Sequence, residues 1–261
     1  MSSQQFAQLS HLTTESRARA LAEMSSGTEL DVLVIGGGIT GAGIALDAAT
    51  RGLRTGIVEA GDWAAGTSAW SSKLIHGGLR YLYNLDFKLV TEALKERGLL
   101  LEKIAPHLVH AQPFLWPLKT PVIERSYSAI GIGMYDALAY IGSRGKKGVP
   151  SQRHFTKKGT KTVFPDIKDS AFTGAIQFYD ARVDDARLVV EVVRTASGYG
   201  ALAASRTQVV GIDKDTSGKV VGARLADLES GQELTVKAKH IINATGVWTE
   251  ESESLANPDA G

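Results

Sequence analysis

The sequence predicts an α/β fold, and three observations carry that expectation. An apolar run, Asp31-Val-Leu-Val-Ile-Gly-Gly-Gly-Ile-Thr-Gly41, stops abruptly at glycines and passes into a helical pattern. A second short apolar run, Arg54-Thr-Gly-Ile-Val-Glu59, follows that helix, so strand, tight turn, helix and strand is the simplest account. Further on, strand-like runs at 206–213, 220–227 and 234–244 are separated by Asp215-Thr-Ser-Gly218 and Leu228-Glu-Ser-Gly231 turns, the pattern of an antiparallel meander.

The remaining elements follow in order. Residues 1–28 are polar, with Glu15, Arg17, Arg19 and Glu23 spread along what reads as one short exposed helix and no signal peptide. Asp86 suits the cap of a helix over 87–105, with Phe87, Val90, Leu94, Leu101 and Ile104 on one stripe and Pro106 ending it. A short strand is expected over 112–118. The apolar stretch 129–142 is interrupted by Asp136 and too short to span a bilayer, so it reads as a buried helix. A loop-rich basic region covers 143–165, its clusters at 144–147 and 157–161 reading as solvated charge. Another strand covers 173–180. Asp184 and Asp185 suit the start of a helix, by capping and by the positive end of its dipole, rather than acid/base work. The last run closes as Ile241-Ile-Asn-Ala-Thr-Gly246, a second apolar strand ending in a small residue and a glycine.

Composition narrows the function. The chain has 261 residues, 43% of them hydrophobic, enough for a sizeable core. Its 29 basic and 28 acidic residues cancel, leaving no broad field to draw in nucleic acid. The lack of cysteine excludes disulfides, thiolate metal sites and a cysteine nucleophile, and fits a reducing compartment; no metal centre is expected.

The glycines have physical jobs. Gly36 lets the chain turn out of the strand, Gly38 removes a side chain where a pyrophosphate approaches the backbone, and Gly41 lets helix and strand pack closely. The helix N-terminus offers unpaired N–H groups to that anion. Glu59, 18 residues beyond Gly41, stands where an acid hydrogen-bonds a ribose hydroxyl and repels a 2′-phosphate. Dinucleotide binding follows, with NADP disfavoured and NAD and FAD both open. After this unit comes Ser71-Ser-Lys-Leu-Ile-His-Gly-Gly-Leu-Arg-Tyr-Leu82. Taken alone, His76 there fits a core histidine or a cofactor neighbour, Arg80 a partner for phosphate or for a surface carboxylate, and Ser71, Ser72 and Lys73 an ordinary polar loop. Trp116 and Trp248 read as packing residues.

Several motifs occur together in one order. The glycine turn, Gly66-Thr-Ser, the 71–82 run, the segment 92–107, Tyr179-Asp-Ala-Arg-Val-Asp-Asp-Ala-Arg-Leu188 and Asn243-Ala-Thr-Gly-Val-Trp248 make the chain resemble the FAD-dependent glycerol-3-phosphate dehydrogenases. The resemblance spans 31–248. It implies a glutathione-reductase-like FAD-binding Rossmann domain with an inserted antiparallel substrate domain. Positions 29–110 would form the first FAD-binding segment, 111–182 part of the substrate domain, and 183–261 an incomplete second FAD-binding segment, after an N-terminal extension at 1–28.

The resemblance also implies roles. Gly36, Gly38, Gly41 and Glu59 would hold FAD, joined by Thr67, Ser68, Ser72, Lys73, His76, Gly77, Gly78, Val209 and Gly246. Gly77 and Gly78 would leave room for flavin and substrate. Arg80 and Tyr81 would meet the substrate, and a guanidinium's planar fork suits its phosphate. The implied reaction is flavin-dependent oxidation of sn-glycerol 3-phosphate to dihydroxyacetone phosphate, with His76 as the candidate base. A quinone would accept the electrons, at the inner face of the plasma membrane on the cytoplasmic side. Members of that family are longer, so the chain reads as truncated at its C-terminus. A remnant without turnover, or a related FAD-dependent oxidase of amines or amino acids, are the alternative expectations.

Overall fold

The computed structural model describes residues 2–78, 81, 84, 86–120, 122–142 and 149–256. They form two compact units, one of Met1–Ser71 with Asp185–Gly261 and one of Ser72–Asp184.

Two helices open the first unit, α1 (Ser3–Leu9) and α2 (Thr14–Met24). Ser2 caps the first through the Gln5 N–H, and Thr13 and Ser16 close a reciprocal capping box on the second. The single exposed helix expected here is therefore corrected. Ala20, Leu21 and Met24 share one face of α2 and are buried, and Phe6 of α1 meets Tyr199 edge-on at 5.3 Å between ring centroids. The polar residues that suggested full exposure occupy the opposite face, except Arg17. Its guanidinium donates to the Ser205 carbonyl at 2.8 Å and pairs with Asp227.

Next come β1 (Leu30–Ile35), α3 (Ile39–Thr50) and β2 (Thr55–Val58). Val32 and Val34 contribute to one core and Leu33 to another, which is why β1 reads as an unbroken apolar run.

The second unit holds β3 (Leu74–Ile75), α4 (Phe87–Leu99), β4 (His110–Leu118), α5 (Ile123–Gly142), β5 (Arg153–Thr156), α6 (Lys157–Val163) and β6 (Gly174–Arg182). Strand β6 is its spine. It pairs antiparallel with β4 along its length, with β5 at its start and with β3 at its end. Because β3 pairs with β6, and Val90 and Leu94 of α4 pack with Tyr135 of α5, positions 72–110 group with 111–184. The expected boundary between 110 and 111 moves to Ser71/Ser72.

Asp86 caps α4 through the Leu89 N–H at 3.0 Å; the turn that follows, Leu100–Ile104, is a π-helix, and Phe87 at the start and Ile104 at the end of the expected stripe are exposed. The stretch expected as a buried helix is half so. Ile132 and Tyr135 are buried, while Ile130 and Tyr140 lie exposed. Among the described residues no helix is long and apolar enough to cross a membrane. The basic cluster 157–161, expected in a loop, forms α6, because Thr156 caps it through the Gly159 N–H at 3.2 Å. The cluster 144–147 lies outside the described residues.

The chain then returns to the first unit with α7 (Asp185–Gly198), β7 (Leu202–Ala204), β8 (Thr207–Lys214), β9 (Val220–Asp227), β10 (Glu233–Asn243) and α8 (Thr249–Ala256). Among the described residues one six-stranded sheet runs β7-β2-β1-β10-β9-β8. The first four strands are parallel; β10, β9 and β8 form the expected antiparallel meander. Small residues Ala42, Ala45, Ala48 and Ala49 of α3 let α7 pack close through Val189, Val193 and Ala196. A second core gathers Met24, Leu33, Val58, Leu225 and Val236.

The Arg17 pair makes a pH prediction. The Arg17 hydrogen bond, helped by the Ser230 hydroxyl, holds the Asp227 carboxyl down at about 2, against about 3.9 in an unfolded chain. A depressed acid stabilises the fold above its unfolded value and loses that stability as pH falls towards its folded value. Thermal melts between pH 5 and pH 2 are expected to show Asp227→Asn less stable than the parent by about 1 kcal/mol at pH 5, after screening. The gap should close towards pH 2.

Candidate functional site

In the first unit the site is built where β1, β2 and β10 end. Gly36 donates to the Val58 carbonyl at 2.9 Å, and Ala244 donates to the Ile35 carbonyl at 2.8 Å, so the ends of three strands meet at one point. Gly36 has φ +111°, and a methyl there would stand 2.5 Å from the Ala244 carbonyl oxygen. A methyl on Gly41 would stand 1.9 Å from the carbonyl oxygen of Gly36. Both glycines are thus required by the protein's own backbone.

Gly38 is different. It occupies the N-cap of α3 without a capping side chain, and a methyl there would meet only the Ser68 hydroxyl, at 3.2 Å. That hydroxyl accepts from the Ile39 N–H at 2.9 Å, and Ile39 and Thr40 are exposed. The first N–H groups of a helix have no partner within it, so this end is a ready cradle for an anion. Ser68 sits in a short 3₁₀ turn, Thr67–Ala69, with Thr67 exposed.

Glu59 does a job the spacing did not reveal. One carboxylate oxygen accepts from the Gly37 N–H at 2.6 Å and the other from the Gly61 N–H at 2.7 Å. The acid therefore ties the glycine turn to the end of β2, and each oxygen keeps a lone pair for a ribose hydroxyl. Gly37 was the missed member. A methyl on it would fall 2.6 Å from the Trp63 ring and 2.8 Å from Glu59 Cβ.

Val209 and Gly246 complete this unit's candidates. The Val209 side chain is buried in the core, beside a bulge that breaks the β8–β9 register. Its strand starts beside Glu59, whose carbonyl accepts from the Thr207 N–H at 2.8 Å. Gly246, at φ +62°, opens the turn Gly246–Trp248 with no atom near its missing side chain. Trp248, expected as a packing residue, is half exposed over Gly66, and Trp116 is also exposed.

The second unit carries the other candidates. Ser72 and Lys73 are exposed; Lys73 is in the left-handed region at φ +59° and its carbonyl accepts from the Val183 N–H at 3.0 Å. His76 is exposed at the end of β3, not a core histidine. Gly77 and Gly78 are buried, and on the side where each lacks a side chain the space is filled by the unit itself. A methyl on Gly77 would stand 2.2 Å from Leu94, and one on Gly78, at φ +72°, 2.3 Å from the Tyr81 ring. Tyr81 donates its N–H to the Gly78 carbonyl at 2.7 Å. Arg80 lies outside the described residues. Among the described residues no cluster of three or more His, Asp or Glu side chains is placed to hold a metal.

A buried polar cluster in this unit was not foreseen. Arg97, Tyr135 and Asp180 meet beneath Gly77, with the Tyr135 hydroxyl donating to Asp180 at 2.6 Å. Its signal was present as a charge on each buried stripe: Arg97 follows Val90 and Leu94 on α4, and Asp180 follows Ile176 and Phe178 at alternate positions of β6.

Comparison with known proteins follows the same outline. The sequence model of the family described as FAD dependent oxidoreductase (DAO) matches residues 31–260. The chain is 50% identical over 239 residues to glycerol-3-phosphate dehydrogenase 2 of Mycobacterium bovis, covering 91% of this chain and 40% of that protein. It is 41% identical over 246 residues to the alpha-glycerophosphate oxidase of Streptococcus pyogenes serotype M1, covering 93% of this chain and 39% of the other. Among solved structures, the glycerol-3-phosphate dehydrogenase of Bacillus halodurans complexed with FAD superposes with a TM-score of 0.68 at 31% identity, covering 93% of this chain and 39% of that one. The chain thus spans about 40% of the length of the curated relatives it matches.

The glycines give a paired prediction. Gly41→Ala is expected to destabilise the first unit by about 3 kcal/mol, because a backbone oxygen cannot yield to a methyl. Gly43→Ala, also in α3 but with nothing near its missing side chain, should stabilise by about 0.5–1 kcal/mol through helix propensity. Urea unfolding of the two variants beside the parent checks both signs.

Proposed function

The chain belongs to the FAD dependent oxidoreductases, and on that premise we propose that it carries the cofactor side of an enzyme oxidising sn-glycerol 3-phosphate to dihydroxyacetone phosphate. One observation carries the reading. A helix N-terminus open to a pyrophosphate occurs in the same chain as the His76-Gly77-Gly78 turn, within the run that resembles the glycerol-3-phosphate dehydrogenases.

Each residue then has a task. The Gly38 cradle and the N–H groups that open α3 would receive the pyrophosphate, and Ser68, which accepts the Ile39 N–H on a lone pair, would offer it the hydroxyl proton. Glu59 takes a ribose hydroxyl while keeping its grip on Gly37 and Gly61. Thr67, Ser72, Lys73, the Val209 backbone and Gly246 supply the outer contacts. When bound, FAD supplies the hydride acceptor, and the protein supplies orientation and charge. Arg80 pairs with the substrate phosphate, Tyr81 packs beside it, and His76 takes the proton of the C2 hydroxyl on an imidazole nitrogen. A quinone is the electron acceptor in this reading, with the protein in the cytoplasm and against the inner face of the plasma membrane.

The experiment is spectroscopic. The purified chain is expected to hold oxidised flavin that bleaches anaerobically with glycerol 3-phosphate and not with proline or glycine. Bleaching by an amino acid or amine instead would overturn the substrate assignment. Arg80→Ala should raise the glycerol 3-phosphate concentration for half-maximal bleaching about 10- to 100-fold, the range of one charge-assisted hydrogen bond.

A further inference from the structure

The second unit buries an ionic cluster for which the chemistry above has no use. Arg97 is 2% exposed, Asp180 6% and Tyr135 0%. One oxygen of Asp180 accepts from the Arg97 guanidinium and from the Tyr135 hydroxyl, and at 3.3 Å from the Gly77 N–H. Arg97 donates also to the Tyr179 carbonyl at 3.2 Å, and its carbon lies 5.4 Å from the centre of the Tyr135 ring. The Tyr135 oxygen accepts the Gly77 N–H at 2.7 Å. Burial, then the Asp180 charge, pushes the phenol's ionisation up, so it keeps its proton for Asp180 and offers a lone pair to Gly77.

A buried ion pair is weak evidence for stability, since an apolar replacement of the same volume is often as good. What this cluster does is hold a backbone amide. Gly77 follows His76 directly, and Leu94 closes the space on its other side. We propose that Arg97, Asp180 and Tyr135 are positioning residues that lock the Gly77 peptide and thereby set where the exposed His76 imidazole stands. The inference rests on His76 being the base of the reaction proposed above.

Tyr135→Phe removes one hydroxyl and leaves the Arg97–Asp180 pair in place, so the fold is retained. In the full chain its Gly77 amide is expected to exchange with solvent at least about 10-fold faster, while amides of α4 and α5 keep their protection. The His76 imidazole resonances, assigned with His76→Gln, should shift. Flavin reduction by glycerol 3-phosphate should slow about 10-fold at saturating substrate, with half-saturation unchanged. Unchanged exchange at Gly77, or equal loss of protection across the unit, overturns the proposal, as does faster exchange with an unchanged imidazole signal or an unchanged reduction rate. If the parent chain is not reduced by glycerol 3-phosphate, the function reading falls by itself; the exchange and imidazole readouts still decide the positioning claim.

Discussion

The first unit depends on a place where main chain approaches main chain more closely than any side chain permits. The carbonyl of Gly36 occupies the space a Gly41 methyl would need, and the carbonyl of Ala244 the space a Gly36 methyl would need. With that contact made, β1 and β10 end together, α3 leaves at a fixed angle, and its small-residue face comes within reach of α7. The open helix end at Gly38 has a separate cause. Helix geometry leaves the first N–H groups of α3 without a partner inside the helix, and Ser68 holds one of them, that of Ile39.

Two carboxylates then play matching parts, each within its own unit. Glu59 accepts the N–H groups of Gly37 and Gly61, and Asp180, with the hydroxyl of Tyr135, accepts that of Gly77. In both cases an acid organises a glycine-bearing turn whose residues have no side chain with which to hold themselves. Charge-assisted hydrogen bonds to backbone are among the stronger polar contacts available, and they fix a peptide plane rather than merely filling space. Glycine supplies the shape and the carboxylate supplies the rigidity.

Much of this was legible in the residues. Gly36, Gly38 and Gly41 announce themselves because turn, approach and packing are local demands, and Asp86 and the meander turns are equally local. What escaped was pairing at long range. Arg97 and Asp180 each look like an exception on an apolar stripe, and nothing local says that the two exceptions, 83 positions apart, neutralise one another. The burial of α2 was hidden for a related reason: Arg17 looks like a surface charge until β9 brings Asp227 to it. Gly77 was legible as a glycine but not as a packed one, since Leu94 and Tyr135, which fill its space, arrive from two other elements.

The strand order sets a timetable for synthesis. Strand β1 pairs Leu30 with Ala238, so its partner emerges from the ribosome about 200 residues later. At roughly 5–20 residues per second that is on the order of 10–40 s during which one edge of an apolar strand waits unpaired. Residues 72–184 contain all of their own unit and have no such delay. The inserted unit is complete while its host is still half made, and β1 and β2 both wait for partners, β10 and β7, that are made after it.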